Sequence, residues 1–212
     1  MTSFSIKKWE NISILLFINH VNQINLINHG SDNICDYKLQ PHGKKFSSEN
    51  LLLIPCYLLL LFMRAVIQRV SEAAVTIDGQ LKSEIKSGLL ILLGIEENDT
   101  DYDIDWLANK IIQLRIFSDA DGKMNLSVQD INGDILVISQ FTLFASTKKG
   151  NRPSFLRAAK PEIAIPLYEQ FLSVMKTNFG KEIYSGEFGT DMKVELINDG
   201  PVTITIDSKN PE

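Results

Sequence analysis

The sequence predicts an α+β fold, and three observations carry that reading. Apolar or alternating runs recur between turn residues, among them Ile135–Ala145 (I-L-V-I-S-Q-F-T-L-F-A) after Asn132-Gly133-Asp134. An Asp78-Gly79 pair stands between two such runs, a strong hairpin signal. Two other stretches place apolar residues at helical spacing: Ile104, Leu107, Ile111 and Leu114, then Leu167, Phe171, Val174 and Met175.

Composition sets the outer limits. The 212 residues are 44% hydrophobic and 22% charged with net charge −5, which fits one main globular domain. The mixture is uneven. Residues 1–62 are rich in Ile, Leu and Asn, lack a sustained period, and hold every His (His20, His29, His42) and both Cys (Cys35, Cys56). The apolar run Leu51–Phe62 is shorter than the roughly 20 residues of a membrane span, and Pro55 interrupts it. It also lies too far from Met1 for an ordinary signal peptide. Residues 1–62 are therefore expected to be a mis-assigned upstream extension, with translation starting at Met63, rather than an anchor or targeting segment. The functional domain is expected over residues 63–207, with 208–212 as a tail.

From Met63 onward the sequence has no Cys and no His. That removes thiol catalysis, His-based triads, disulfides and the usual zinc ligand sets. Subtracting the five lysines and four acids of residues 1–62 leaves 16 basic and 22 acidic residues, a net charge of −6. The net charge argues against broad nucleic-acid binding, so any RNA contact must be local.

The elements follow in order. Val66–Val70 reads as a strand, Ala74–Ile77 and Leu81–Ile85 as the arms of the hairpin, and Gly88–Ile95 as a buried strand. Asn98-Asp99-Thr100 offers N-caps for a helix over roughly residues 100–115. Asp119–Lys123 is a turn; it lacks the third acid and closing Glu of a calcium loop. The second helix should begin near Glu162–Pro166, since Pro161 and Pro166 are tolerable only in or before a first turn, and Gly180 suits its stop. Lys193–Ile197 and Val202–Asp207 alternate as strands, with Asn198-Asp199-Gly200-Pro201 expected as a bend or corner between them. No P-loop, dinucleotide-binding fingerprint or internal repeat is present.

Two stretches stand out chemically. Ser139, Gln140 and Thr142 crowd polar groups at the end of an apolar run, where each needs a partner. Taken alone, they read as a strand end whose hydroxyls bond nearby backbone. Just beyond, residues 148–160 hold five basic residues and no acid. A solvated charge run is the ordinary reading of such a loop. Its position after Ser139–Thr142 makes it suited to phosphates, through Lys148, Lys149 and Arg152.

Ser139-Gln140-Phe141-Thr142 together with Asn198-Asp199-Gly200-Pro201-Val202-Thr203 resembles the bacterial and eukaryotic type of D-aminoacyl-tRNA deacylase, the D-tyrosyl-tRNA deacylase family. Further matches are Ile67-Gln68-Arg69-Val70, Gly88-Leu89-Leu90, Arg115-Ile116-Phe117, Gly122-Lys123-Met124-Asn125, Arg152-Pro153-Ser154-Phe155, and Phe188 with Met192. Each is weak alone; their shared order over residues 63 to about 207 is specific.

The resemblance implies a single α+β domain: a mixed, largely antiparallel, barrel-like sheet with helices packed outside. It implies a cytoplasmic homodimer, not membrane-bound, with active sites at the subunit interface and no metal or organic cofactor. The implied reaction is hydrolysis of the ester joining a D-amino acid, or glycine, to the terminal adenosine of tRNA. Ser139, Gln140, Phe141 and Thr142 would form the catalytic segment. Arg69, Gly200, Pro201, Phe188 and Met192 would bind substrate, with Arg69 holding a cis Gly200-Pro201 that excludes an L side chain.

Residue chemistry fits this. Backbone N–H groups can stabilise a carbonyl oxyanion, and no His exists to activate Thr142 or Ser139. Water assisted by the tRNA 2′-hydroxyl is then the expected nucleophile. Gln140 would hold the terminal adenosine or its ribose, and Phe141 would wall the pocket. Three other readings compete: a non-catalytic D-amino-acid or nucleic-acid binding module, a hydrolase using Thr142 on small esters, and a variant with relaxed chirality.

Overall fold

In the computed structural model, residues 63–208 are described, together with the backbone of four short strands before them: β1 (Ser3–Lys7), β2 (Leu15–Ile18), β3 (Ile24–Ile27) and β4 (Ile34–Lys38). β1 pairs antiparallel with β4, and β2 with β3. They fall in the unit Met1–Cys56, distinct from the unit Tyr57–Glu212. The expectation that residues 1–62 are an extension lies outside the described residues.

The second unit is organised on β5 (Arg64–Ile77), one strand where two were expected. On one side it pairs antiparallel with β7 (Gly88–Gly94) and then, past the Asp78-Gly79 hairpin, with β6 (Gln80–Ile85). On its other side lies β12 (Met192–Asp207), antiparallel along the whole length. β10 (Asp134–Ser139) runs parallel to β7, and β11 (Tyr184–Ser185) parallel to β10. The order β11-β10-β7-β5-β12, with β6 beside β5, is a mixed and mostly antiparallel sheet. Register shifts in β5 and β12 mark bulges, which bend and twist a strand. Ser83 on β6 donates to the Ser185 carbonyl on β11 at 2.8 Å, so the sheet curls nearly closed. The barrel-like α+β expectation therefore holds.

β7 and β10 are apolar on both faces because both are covered. One face of the sheet packs on α1 (Asp101–Ile112) and α2 (Pro161–Phe179) through Ile67, Leu89, Ile91, Ile135 and Val137 against Ile104, Leu107, Ile111, Phe171 and Met175. Each large apolar side chain buried there contributes roughly 1.5–3 kcal/mol. The other face carries a smaller cluster of Val70, Val75, Leu90, Leu136 and Ile138. Two short strands, β8 (Phe117–Ser118) and β9 (Met124–Leu126), flank the Asp119–Lys123 turn. Ser208 closes the sheet's end: its Oγ accepts from Met63 N–H and donates to Asp103, and its N–H donates to the Met63 carbonyl.

Three expectations are corrected. The strand expected to end around Ser139–Thr142 stops at Ser139, and Phe141 and Thr142 stand in a 3-10 turn, Phe141–Phe144, that follows. The arms of residues 193–207 do not meet at a corner. Both remain on β5, and residues 199–202 bulge out between Asn198, opposite Val70, and Thr203, opposite Gln68. α2 begins at Pro161, leaving Pro166 inside the helix. Pro166 is exposed, so water can reach the carbonyl that its missing N–H leaves unbonded.

Candidate active site

The end of β10 is shaped by its neighbour β7. Gln140 N–H donates to the Leu93 carbonyl at 2.7 Å, one rung past the ladder. The chain then folds over Gly94. A Cβ there would come within 3.0 Å of the Phe144 ring, 3.1 Å of Leu143 Cβ and 3.2 Å of the Gln140 carbonyl. With glycine there the turn lies this close without having to give way. Leu143 N–H bonds the Gln140 carbonyl, and Ala145 N–H the Thr142 carbonyl.

As at the start of any helical turn, the first N–H groups have no partner within it. Among the described residues, neither the Phe141 nor the Thr142 N–H donates a hydrogen bond to protein. Two backbone donors thus stand side by side at an exposed position, suited to a developing oxyanion. The Gln140 side-chain amide donates to the Thr142 hydroxyl. Phe141 is 57% exposed and meets Phe155 edge-on, centroids 5.1 Å apart.

That second ring comes from the basic loop, which is tied to the domain at both ends. Ser146 and Ser154 exchange two backbone hydrogen bonds, and Ala159 N–H donates to the Ile95 carbonyl at 2.9 Å. Lys148, Lys149 and Arg152 are exposed on the far part of the loop.

The bulge of β12 is a second constellation. Arg69 is buried on β5, and its Nε donates to the Asp199 carbonyl at 2.9 Å and faces the Asp199 carboxylate at 3.2 Å. Its Nη1 donates to the Ile116 carbonyl at 2.6 Å. The Gly200-Pro201 bond is cis, and Gly200 has φ +134°. A Cβ on Gly200 would lie 2.7 Å from Val202 Cγ2 and 3.0 Å from Arg69 Nη2, so a side chain is excluded there. Asn198 closes the loop from inside. Its Oδ1 accepts from Val202 N–H at 2.7 Å, and its Nδ2 donates to the Thr203 hydroxyl at 3.1 Å.

Phe188 and Met192 flank the other side of β10. Phe188 packs on Tyr168, whose hydroxyl donates to the Val137 carbonyl; burial pushes that hydroxyl's pKa well above its usual value. Met192 approaches Gly186 beside Ile138. Among the described residues no group of three or more His, Cys, Asp or Glu is placed to hold a metal.

A family model described as D-Tyr-tRNA(Tyr) deacylase matches residues 66–207. The chain belongs to that family. It is thus an ester hydrolase of the deacylase type. Two relatives, each bearing the name D-aminoacyl-tRNA deacylase, align over 150 residues, 71% of this chain and 100% of their own length. They come from Bacteroides fragilis (strain YCH46), at 66% identity, and Flavobacterium johnsoniae, at 62%. A solved structure, the c-Myc DNA Unwinding Element Binding Protein, is 41% identical with a TM-score of 0.65, over 68% of this chain and 97% of that one.

The fold joins Ser139, Gln140, Phe141 and Thr142 in one turn, and Arg69, Gly200 and Pro201 in one loop. It keeps the two groups apart, with β7 and β5 between β10 and β12. Sequence reasoning missed Gly94 and gave Asn198 no separate role. An Asn just before Asp-Gly-Pro was the available signal for the second; Gly94 carried none without knowledge of what folds over it.

Proposed function

We propose that this deacylase hydrolyses the ester of D-aminoacyl-tRNA, releasing the free D-amino acid and tRNA, as a chirality check on translation. The observation that carries the chemistry is the pair of unpartnered N–H groups at Phe141 and Thr142. As water adds to the ester carbonyl, negative charge grows on its oxygen, and these fixed donors stabilise it. The tRNA 2′-hydroxyl beside the ester assists the water and the departing 3′-oxygen. Thr142 is not the nucleophile in this scheme, since among the described residues no base lies behind it and its oxygen already accepts from Gln140. Ser139 and Phe141 wall the pocket, Gln140 meets the terminal ribose or adenine, and Phe188 and Met192 line the far side. Lys148, Lys149 and Arg152 meet tRNA phosphates.

The gate is Gly200-Pro201, held by Arg69 and occupying the position an L side chain would need. Glycine has no side chain to exclude, so glycyl-tRNA passes. One chain does not bring gate and catalytic turn together. Three strand spacings and three residues along the strand separate Thr203, level with Leu136, from Ser139, roughly 17 Å along the sheet. This separation supports a homodimer in which each subunit's gate enters the other's site. We also propose that residues 1–62 lie outside the functional protein. Mass spectrometry of the native N-terminus tests this, and a peptide from residues 1–62 would overturn it.

The deciding experiment compares matched D- and L-tyrosyl-tRNA with the full chain. Hydrolysis of the D-ester alone is expected, slowed strongly when the terminal ribose is 2′-deoxy. An intact D-ester would identify a binding module instead. Equal turnover of both esters would remove the gate.

A further inference from the structure

The Phe141–Phe144 turn is also gripped from a side that the proposed chemistry does not use. Phe144 is 1% exposed, and two guanidinium groups lie over its ring: Arg64 at 5.0 Å and Arg157 at 5.6 Å from the centroid. Each arginine is itself held by a carboxylate. Arg64 Nε meets Asp207 at 2.8 Å, and Arg157 Nε meets Glu96 at 2.9 Å. Arg64 Nη1 also donates to the Leu143 carbonyl at 3.1 Å, at the end of the turn where helical carbonyls lack partners.

These residues come from four separate places. Arg64 opens β5, Asp207 closes β12, Glu96 follows β7, and Arg157 belongs to the basic loop. Their convergence on one ring and one carbonyl fixes the turn in rotation as well as in height. A guanidinium suits the task because its planar fork can serve Asp207 and Leu143 at once while its face covers the ring.

We propose that Arg64 and Arg157 are positioning residues that hold the Phe141–Phe144 turn and so aim the Phe141 and Thr142 N–H groups. The proposal rests on reading those groups as the oxyanion donors. It differs from a purely structural role in what it moves: the turn's geometry and the chemical step, with little change in substrate binding or global stability.

The test uses the full chain with Arg64→Ala, Arg64→Lys, Arg157→Ala and Phe144→Leu. Amide hydrogen exchange at Leu143 and Ala145, whose bonds close the turn, is read without any RNA. Steady-state deacylation of D-tyrosyl-tRNA is read separately. In Arg64→Ala, kcat is expected to fall about tenfold or more with KM within about twofold. Exchange at Leu143 and Ala145 should quicken about tenfold while the amides of β5 and β7 keep their protection. Arg64→Lys should recover part of both effects, because an ammonium can meet Leu143 or Asp207 but not both in the same planar geometry. Arg157→Ala and Phe144→Leu should shift the same two amides.

Unchanged exchange at Leu143 and Ala145 would overturn the proposal, as would a change that merely tracks global unfolding. If Arg64→Ala does not fold, Arg64→Lys and Phe144→Leu carry the same readouts. An unmutated chain that leaves D-tyrosyl-tRNA intact would instead sink the deacylation reading, with the exchange measurement still deciding whether the arginines position the turn.

Discussion

The Phe141–Phe144 turn and the Asn198–Thr203 loop each carry half of the proposed site, and they are built differently. The turn ends an interior strand, with β7 on one side and β11 on the other. Its entry is fixed by backbone alone: a rung from Gln140 to Leu93, and a glycine beneath it. The loop interrupts β12, which has β5 on one side and no further strand among the described residues on the other. There the ladder is broken, and long side chains replace it, Arg69 from β5 and Asn198 from the loop itself. An interior strand end inherits its position from its neighbours, which leaves its own N–H groups free for chemistry. A loop on an edge strand must be tied down residue by residue. The entry to the turn should therefore be sensitive to small changes of volume, whereas the loop depends on polar side chains throughout.

Replacing Arg69 is expected to have the largest effect. Arg69→Ala strips the Asp199 and Ile116 carbonyls of their donor and leaves the Asp199 carboxylate without this partner. A loss of about 3 kcal/mol in chemical denaturation is expected. Discrimination between D- and L-tyrosyl-tRNA should fall at least about tenfold in folded protein. Undiminished rejection of the L-ester would mean that the loop is not the gate.

Gly94→Ala should do the opposite to the two functions. The added methyl presses on Phe144, Leu143 and the Gln140 carbonyl. Overpacking of that kind costs about 1–3 kcal/mol, and lifting the turn should lower kcat roughly tenfold. The preference for the D-ester should persist, because the gate is elsewhere. A variant with normal kcat and weakened chirality would invert the assignment of the two regions.

Neutralising Lys148, Lys149 and Arg152 together touches neither region. It should raise KM and flatten the salt dependence of tRNA binding, by roughly 0.7 in log–log slope for each phosphate that is no longer neutralised. Turnover and chirality should hold. An unchanged slope would make the loop an ordinary solvated charge run.

Thr142→Ala should have the smallest effect, leaving activity within about threefold, since the scheme uses the Thr142 backbone N–H and not its hydroxyl. Complete loss of turnover in a folded protein would restore Thr142 as the nucleophile.

Much of this was readable from residue order. Apolar periods placed both helices and the central strands, because burial requires the same pattern whatever the final neighbours are. The Asp78-Gly79 hairpin follows from local backbone preference, and the absence of His and Cys after Met63 narrows the chemistry whatever the fold. The two motif stretches named the candidate site residues through their joint resemblance to one family.

Tertiary structure decided what periodicity cannot express. A period-2 pattern does not say where a strand stops, so the change from β10 to a turn at Ser139 depended on β7 ending beside it at Gly94. Alternation on either side of Gly200-Pro201 is the same for a corner as for a bulge; Asn198 and Arg69 selected the bulge by replacing the missing ladder bonds. The sequence by itself therefore determined which residues are buried and which are proposed to carry the chemistry. Only the packing of β5, β7 and β12 against one another decided which backbone groups are left unpaired, because a hydrogen bond between distant strands is a property of their register and not of either segment alone.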